Sequence, residues 1–207
     1  AYTADDVGTS SGAAYIFRRD SAGTWAEEAK LTASDPDEGE AFGWSVAIDG
    51  DRALVGTMWD NENGNDSGAA YIFDFGPGVG WDESAKLVAS DGTAGDSFGI
   101  SVSLDGELAL VGANSGWSSP DGPTAAYAFE HIGDGQWSEI AELQGRDDLS
   151  DYFGEAVALT QDTAFVGAYA DDDGGALAGA VYAYSVPEPS GLLLLAGASI
   201  VGVLRRS

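Results

Sequence analysis

The chain of 207 residues contains no cysteine, one histidine and one methionine. The absence of cysteine excludes a disulfide framework and thiol catalysis. The single histidine, His131, is expected in the loop before Trp137, and a His-dependent triad would have to be built around it alone. The sequence has no Gly-x-Ser-x-Gly elbow and no phosphate-binding loop. These absences favour a non-catalytic protein, although its 35 acidic residues leave a glycosidase-like acid pair open.

Basic residues are also scarce, with eight Lys and Arg against 35 Asp and Glu, and the formal net charge is -27. Such a surface repels nucleic-acid phosphates and anionic lipid headgroups, which argues against both as partners. Two interpretations of the acidity stay open, a solvated surface that resists aggregation and specific cation binding. Hydrophobic residues make up 44% of the chain, so disorder is not expected.

A repeat of 55 or 56 residues dominates the sequence. It is marked by a Gly-Ala-Ala-Tyr element, by a tryptophan and by a Phe-Gly pair, all with the same spacing. The marker residues are Tyr15, Tyr71, Tyr127 and Tyr182; Trp25, Trp81 and Trp137; and Phe42, Phe98 and Phe153. Three markers that share one period indicate genuine internal repetition.

Within each unit the residue pattern has a period of two, which is typical of β-strands. The second unit predicts four strands, at 42–48, 52–57, 68–75 and 81–89. Asp49-Gly50 predicts a type I′ hairpin between the first two; Asp105-Gly106 repeats this signal, and Gln161-Asp162 is a weaker version. Four strands per unit at this period predict the blade of a β-propeller, so the fold class is all-β, with about three and a quarter blades present.

The predicted blades are too few to close a ring, and an open array would expose strand edges. The segment AYTADD at 1–6 aligns with AYADDD at 168–173, so the chain starts within a repeat. We therefore predict a C-terminal piece of a larger propeller, with closure by pairing of two chains as the alternative. The predicted division is a propeller segment, 1–185, with repeats near 1–41, 42–97, 98–152 and 153–185, followed by a tail, 186–207.

The Phe-Gly pair, the Val-Gly-[Thr/Ala] that follows it and the Gly-Ala-[Ala/Val]-Tyr element resemble the FG-GAP repeat of integrin-alpha-type propellers. The resemblance implies a propeller, often seven-bladed, that works in extracellular adhesion or ligand binding. One departure is the proline of the family motif, which is replaced by Met58, Asn114 and Tyr169.

The resemblance also implies calcium loops between the first two strands, but only two-residue turns stand there. A calcium ion needs six to eight oxygen ligands and a loop long enough to wrap it. Calcium is therefore expected, if anywhere, in the longer loops at 59–67 and 169–175, and no other cofactor is predicted. The alternative is a solvated turn rich in Asx and Gly residues. The candidate ligands are Asp60, Glu62, Asp66, Asp171, Asp172 and Asp173.

An acidic residue stands two positions before each repeated phenylalanine: Glu40, Asp96 and Asp151. We expect these carboxylates to accept backbone N–H bonds in the turn that enters the first strand; a ring of carboxylates on one propeller face is the alternative. The phenylalanine is expected to pack between blades, and the following glycine to allow close backbone approach.

The tail contains fourteen uncharged residues, 191–204, which is short for a bilayer span of about 20 residues. Its small residues and its lack of a polar face argue against a buried core helix, and we predict a C-terminal hydrophobic helix. The order of its parts resembles the PEP-CTERM sorting signal of Gram-negative surface proteins: Pro187, Glu188 and Pro189, an apolar run, and Arg205 with Arg206. The resemblance implies export, transient inner-membrane insertion and removal by an exosortase-type processing enzyme.

Together these features predict an exported, non-catalytic protein of the cell surface or extracellular matrix. Its propeller would act in adhesion, ligand binding or scaffolding, with an extracellular polysaccharide or a protein as ligand. Two alternatives remain: a propeller permanently anchored in the membrane, and an accessory module of a polysaccharide-acting enzyme.

Overall fold

A computed structural model describes residues 10–115, 124–145, 151–173, 175 and 178–186, together with the backbone of 200–204. These residues form fourteen β-strands and no helix. The strands are β1 Ala14–Arg19, β2 Trp25–Leu31, β3 Ser45–Asp49, β4 Arg52–Thr57, β5 Ala69–Gly76, β6 Gly80–Leu87, β7 Ser101–Asp105, β8 Leu108–Asn114, β9 Thr124–Gly133, β10 Gln136–Gln144, β11 Phe153–Leu159, β12 Thr163–Ala168, β13 Ala180–Ser185 and β14 Ile200–Leu204.

The strands pair in sequence order into antiparallel sheets. We call β1–β2 the first sheet, β3–β6 the second, β7–β10 the third and β11–β14 the fourth. The second and third sheets each contain four strands from one repeat, as the periodicity predicts. The all-β class is confirmed, and the sheets are consistent with part of a propeller.

The second strands of the second and third sheets, β4 and β8, consist mostly of apolar residues and are almost completely buried. β8 is buried throughout, and all but the first residue of β4 is buried. Both faces of these strands are covered by neighbouring sheets, so a continuous apolar run replaces the alternation seen in half-exposed strands. The outermost strands β2 and β6 keep exposed polar residues along their length.

The core lies between neighbouring sheets, and each repeated phenylalanine is fully buried in it. The Phe98 ring lies 5.5 Å from that of Tyr127 and 6.0 Å from that of Phe129, in a cluster that also contains Leu54 of the second sheet. Phe42 and Phe153 make corresponding edge contacts with Tyr71 and Tyr182. The prediction that phenylalanine packs between blades is confirmed.

The hairpin predicted at Asp49-Gly50 is present, but its turn type differs from the prediction. Asp49 pairs with Arg52, so the two central residues are Gly50 and Asp51. Only Gly50 has a positive φ, 57°, which matches the II′ pattern with glycine first and not type I′. The β7–β8 hairpin has the same arrangement around Gly106. The turn therefore lies one residue later in the sequence than predicted, because the register of β3 and β4 places Gly50 and Asp51 at its centre.

The predicted C-terminal helix is not supported. Residues 200–204 form β14, whose backbone pairs with β13 at the edge of the fourth sheet. The predicted sorting residues Pro187, Glu188, Pro189, Arg205 and Arg206 lie outside the described residues. Within the part of the chain that the structure describes, no helix is long and apolar enough to cross a membrane.

Glycine allows the second and third sheets to approach each other closely. A Cβ atom on Gly56 of β4 would lie 2.1 Å from the carbonyl oxygen of Gly99, at the start of the third sheet. Gly99 itself has a φ of 89°, and a Cβ there would lie 2.2 Å from the carbonyl oxygen of Ala69. Such distances are shorter than any real Cβ contact, so the close approach expected for the Phe-Gly glycine is confirmed.

Gly56→Ala is expected to lower the free energy of unfolding by about 2–3 kcal/mol, because the two sheets must separate to admit a methyl group. Gly76→Ala is the control: Gly76 lacks a positive φ, and its Cβ would lie 3.4 Å from Val79, so we expect a change of about 0.5 kcal/mol or less. Urea denaturation measures both, and equal costs would contradict the close-approach argument.

Candidate functional site

A polar cleft with a volume of about 570 Å³ opens where the first sheet meets the second. Five of its lining side chains are acidic and one is basic. The lining residues are Asp35, Pro36, Asp37, Glu40, Asp60, Asn61, Glu62 and Lys86. We call this the acidic cleft.

Three chain segments position the cleft side chains. The turn after β2 carries Asp35, the loop that follows β4 carries Asp60 and Glu62, and β6 presents Lys86. Hydrogen bonds within the loop after β4 fix its conformation. The Asp60 carboxylate accepts the Glu62 N–H at 2.9 Å, and the Gly68 N–H donates to the Asp60 carbonyl at 2.9 Å.

The Lys86 ammonium lies at the centre of three carboxylates. Its Nζ lies 2.8 Å from Asp35 Oδ2, 2.8 Å from Asp60 Oδ2 and 2.9 Å from Glu62 Oε2. Burial alone would lower the pKa of Lys86, but the hydrogen bonds to these carboxylates outweigh burial and raise it. The lysine is therefore held charged.

Tyr71 of β5 is fully buried and contacts two of the cleft carboxylates. Its hydroxyl lies 2.8 Å from Asp35 Oδ1 and 3.1 Å from Asp60 Oδ2, and Lys86 Nζ lies 5.2 Å from its ring centroid. Burial raises the pKa of Tyr71, so the phenol stays neutral and can donate. The hydrogen bonds from Lys86 and Tyr71 outweigh the burial of Asp35 and hold the pKa of that carboxyl below its usual value.

Glu40, one of the acids that precede a repeated phenylalanine, is buried at the edge of the cleft. Its carboxylate accepts the Asp37 N–H at 3.0 Å, and Asp96 accepts the Thr93 N–H at 2.6 Å in the next repeat. The predicted backbone-accepting role is confirmed for these two acids. Burial raises the pKa of both, and for Glu40 the nearby carboxylates of Asp60 and Asp37 add to the shift.

The tyrosine–aspartate bond recurs in the other repeats. Tyr127 donates to Asp91 at 3.0 Å, and Tyr182 donates to Asp171 at 2.8 Å. Asp91, like Asp35, belongs to the turn after the outermost strand of the preceding sheet. Asp171 instead follows β12 of the same sheet, at the position of Asp60. The repeated tyrosine is therefore a structural donor to loop aspartates, and in Tyr71 and Tyr127 its bond also joins two sheets.

A serine in the same turn makes a second recurring contact between sheets. Ser34 donates through both its N–H and its hydroxyl to the Glu83 carboxylate of the next sheet, at 2.8 Å each. Ser90 makes the same pair of bonds to Glu139, at 2.9 Å each. We call this turn, with its Ala-Ser-Asp sequence at 33–35 and 89–91, the interblade clasp. Its recurrence at a spacing of 56 was the signal that sequence reasoning missed.

The candidate calcium ligands do not converge on one point. Asp60 and Glu62 contact Lys86, whereas Asp66 has a φ of 57° and accepts a bond from Asn65. Asp171 is buried against Tyr182, and its neighbours Asp172 and Asp173 are exposed. Within the described ranges, no group of three or more acidic, histidine or cysteine side chains is arranged to hold a metal ion. Calcium at these loops stays a prediction.

His131 lies near the end of β9 and not in a loop as predicted. Its Nδ1 contacts the Glu107 carboxylate, and its ring centroid lies 5.3 Å from that of Trp137. Arg52 packs over the same tryptophan at 5.1 Å and pairs with Asp74 at 2.8 Å. This arrangement gives the histidine a packing role between the second and third sheets.

Three segments of the chain match the FG-GAP repeat, at residues 25–73, 81–129 and 137–184. Together they cover well over half of the chain, and each joins the outermost strand of one sheet to the first three strands of the next. Comparison with curated proteins finds no match.

Tyr71→Phe is expected to cost about 1–3 kcal/mol of unfolding free energy, because buried Asp60 loses a donor. Tyr15→Phe, at the same repeat position but 39% exposed, is the matched control with an expected change of about 0.5 kcal/mol or less. Thermal or urea unfolding measures both variants. A Tyr71→Phe variant as stable as wild type would show that the hydroxyl contributes nothing to the junction.

Proposed function

The chain belongs to the FG-GAP repeat family, and we propose that it forms the propeller segment of an exported, non-catalytic binding or scaffolding protein. The observation that carries the proposal is the acidic cleft, whose loops are fixed by side-chain bonds from two sheets. Rigid sheets that present polar loops at their junctions are typical of binding surfaces.

The proposal includes a larger ring, and an exposed apolar face supports it. Val46 and Ile48 on β3 are 63% and 57% exposed. Leu104, which corresponds to Ile48 one repeat later, is only 9% exposed because the second sheet covers it. Leu104 lies on β7, which β3 and β4 contact, whereas the first sheet has only two strands in the described residues. Further strands beside β1 would therefore bury Val46 and Ile48 in the same way.

The volume of the acidic cleft lies within the range of about 300–1,000 Å³ that is common for small-ligand sites. Carboxylates accept hydrogen bonds from hydroxyl and ammonium groups. We therefore assign the cleft to a hydroxyl-rich or amine-bearing ligand, such as a segment of extracellular polysaccharide, with adhesion of integrin type as the cellular role.

Asp37→Asn is expected to weaken binding of a chitosan tetramer about tenfold or more, because it removes a carboxylate from the cleft wall. Isothermal titration at fixed low salt measures the change. Asp82→Asn is the control, because Asp82 is an exposed acid of β6 outside the cleft. An equal loss of affinity in both variants would show that only the net charge attracts the ligand. If the wild-type protein does not bind the chitosan tetramer, this ligand class is contradicted.

Export is assigned to the tail. The order of Pro-Glu-Pro, an uncharged run and two arginines supports sorting, and the basic tip favours retention on the cytoplasmic side during insertion. This role requires β14 to leave β13, which frees the backbone edge of β13. A sorting enzyme of exosortase type would then act at the Pro-Glu-Pro segment, where the prolines favour an extended backbone.

Replacing Pro187, Glu188 and Pro189 with alanine is expected to abolish removal of the tail in the producing cell. Intact mass of the surface fraction then shows a species that retains Arg205 and Arg206, whereas wild type has lost both. Ser190→Ala, directly beside the motif, is the control and should be processed like wild type. Unchanged mass and release of the triple variant would favour a permanent anchor.

A further inference from the structure

The first three strands of each four-stranded sheet form a cross-strand row with glycine at its centre. We call these rows the slot rows, because the glycine leaves space beside the sheet. They consist of Ser45, Gly56 and Ala70 in the second sheet; Ser101, Gly112 and Ala126 in the third; and Ala156, Gly167 and Val181 in the fourth.

In the second and third sheets the slot row holds the Phe-Gly segment of the sheet that follows. A Cβ atom on Gly56 would lie 2.1 Å from the carbonyl oxygen of Gly99, and one on Gly112 would lie 2.0 Å from that of Gly154. The serine hydroxyl of each row donates to the same carbonyl at 2.7 Å. Two junctions of the chain thus share one docking geometry.

The fourth sheet has its slot row exposed, with no segment docked on it within the described residues. The nearest atoms to a Cβ on Gly167 would belong to Ala156, at 3.5 Å, which is ordinary van der Waals contact. A cleft of about 430 Å³ opens here, and two of its lining residues, Tyr169 and Val181, are 56% and 39% exposed. The residues at their positions in the two earlier sheets are fully buried: Met58, Asn114, Ala70 and Ala126.

We propose that the fourth sheet docks the Phe-Gly segment of a further FG-GAP unit in this cleft. The source of the unit is the larger ring proposed above, on which this inference rests. The chain's own Phe-Gly pairs start at Phe42, Phe98 and Phe153, which are all buried, and residues 187–207 contain no phenylalanine. The segment must therefore come from a unit other than these three.

The apolar surroundings of the phenylalanine are also present on the fourth sheet. Phe98 clusters with three residues of the second sheet, Leu54, Ala70 and Ile72. The corresponding positions of the fourth sheet are also apolar: Phe165, Val181 and Ala183. A strand segment with a phenylalanine, which fills the apolar space, and a glycine, which allows the close backbone approach, is the chemistry that fits.

One contact of the earlier junctions is missing, because Ala156 replaces the serine of the slot row. The incoming carbonyl therefore accepts no hydroxyl bond from the fourth sheet. We expect docking there to be weaker than at the two earlier junctions, and Ala156→Ser should strengthen it.

Binding of a synthetic peptide with the sequence of residues 94–105, AGDSFGISVSLD, to the full chain tests the proposal. Fluorescence anisotropy of the labelled peptide at high salt, which screens the repulsion between two acidic partners, measures the Kd. Wild type is expected to bind saturably. Gly167→Ala should weaken binding about tenfold or more, because its methyl group takes the place of the incoming carbonyl, and Ala156→Ser should strengthen binding about two- to tenfold.

Matched controls separate docking from folding. Gly167 lacks a positive φ and has room for a Cβ, so Gly167→Ala should keep the wild-type Tm. Gly76→Ala, on β5 outside the cleft, should bind like wild type. Peptides with Phe98→Ala or Gly99→Ala should not bind, and they leave the chain itself unchanged. Absence of saturable binding to wild type overturns the proposal, and so does equal binding by Gly167→Ala or by either peptide variant.

Two further measurements identify other occupants. Peptide binding that appears only after removal of residues 187–207 would assign the cleft to the tail, and self-association that Gly167→Ala abolishes would assign it to a second copy of the chain. Either result overturns the proposal. Chitosan binding and removal of the tail are measured separately, so a failure of peptide docking is distinguishable from a failure of the proposed function.

Discussion

The structure depends on the contact between one sheet and the next. β4 and β8 bury apolar side chains on both faces, so the second and third sheets each need a neighbouring sheet on either side. The repeated phenylalanine fills the space between sheets, and glycine lets the backbones approach. Apolar packing alone does not set the angle between two sheets, because it is non-directional.

Direction comes from the interblade clasp. Its serine forms two bonds to a glutamate of the next sheet, and its aspartate accepts a bond from the buried tyrosine there. These bonds also determine where acidic side chains can be buried between sheets. Acidic residues of the acidic cleft and the interblade clasp have donors in place, from backbone, tyrosine or lysine, and many of the remaining carboxylates are exposed.

The same bonds connect the fold to the proposed function. Loops at the junctions are held by side chains from two sheets, so they form a preorganised polar surface that loses little entropy on binding. The acidic cleft is the clearest such surface. Lys86 both closes the junction and leaves the rest of the cleft negative, which favours ligands rich in hydroxyl or amine groups.

The sequence by itself determined the all-β class, the four-stranded units and the burial of phenylalanine, because a period of two and a spacing of 56 follow directly from strand geometry and repetition. Tertiary structure decided the rest. Turn type depended on cross-strand register, which places Asp49 opposite Arg52. The tail strand β14 depended on an edge of β13 that offers backbone partners, which local composition does not reveal. Lys86 and Asp60 are 26 positions apart in sequence, and they meet only because β5 and β6 bring the lysine back beside the loop after β4.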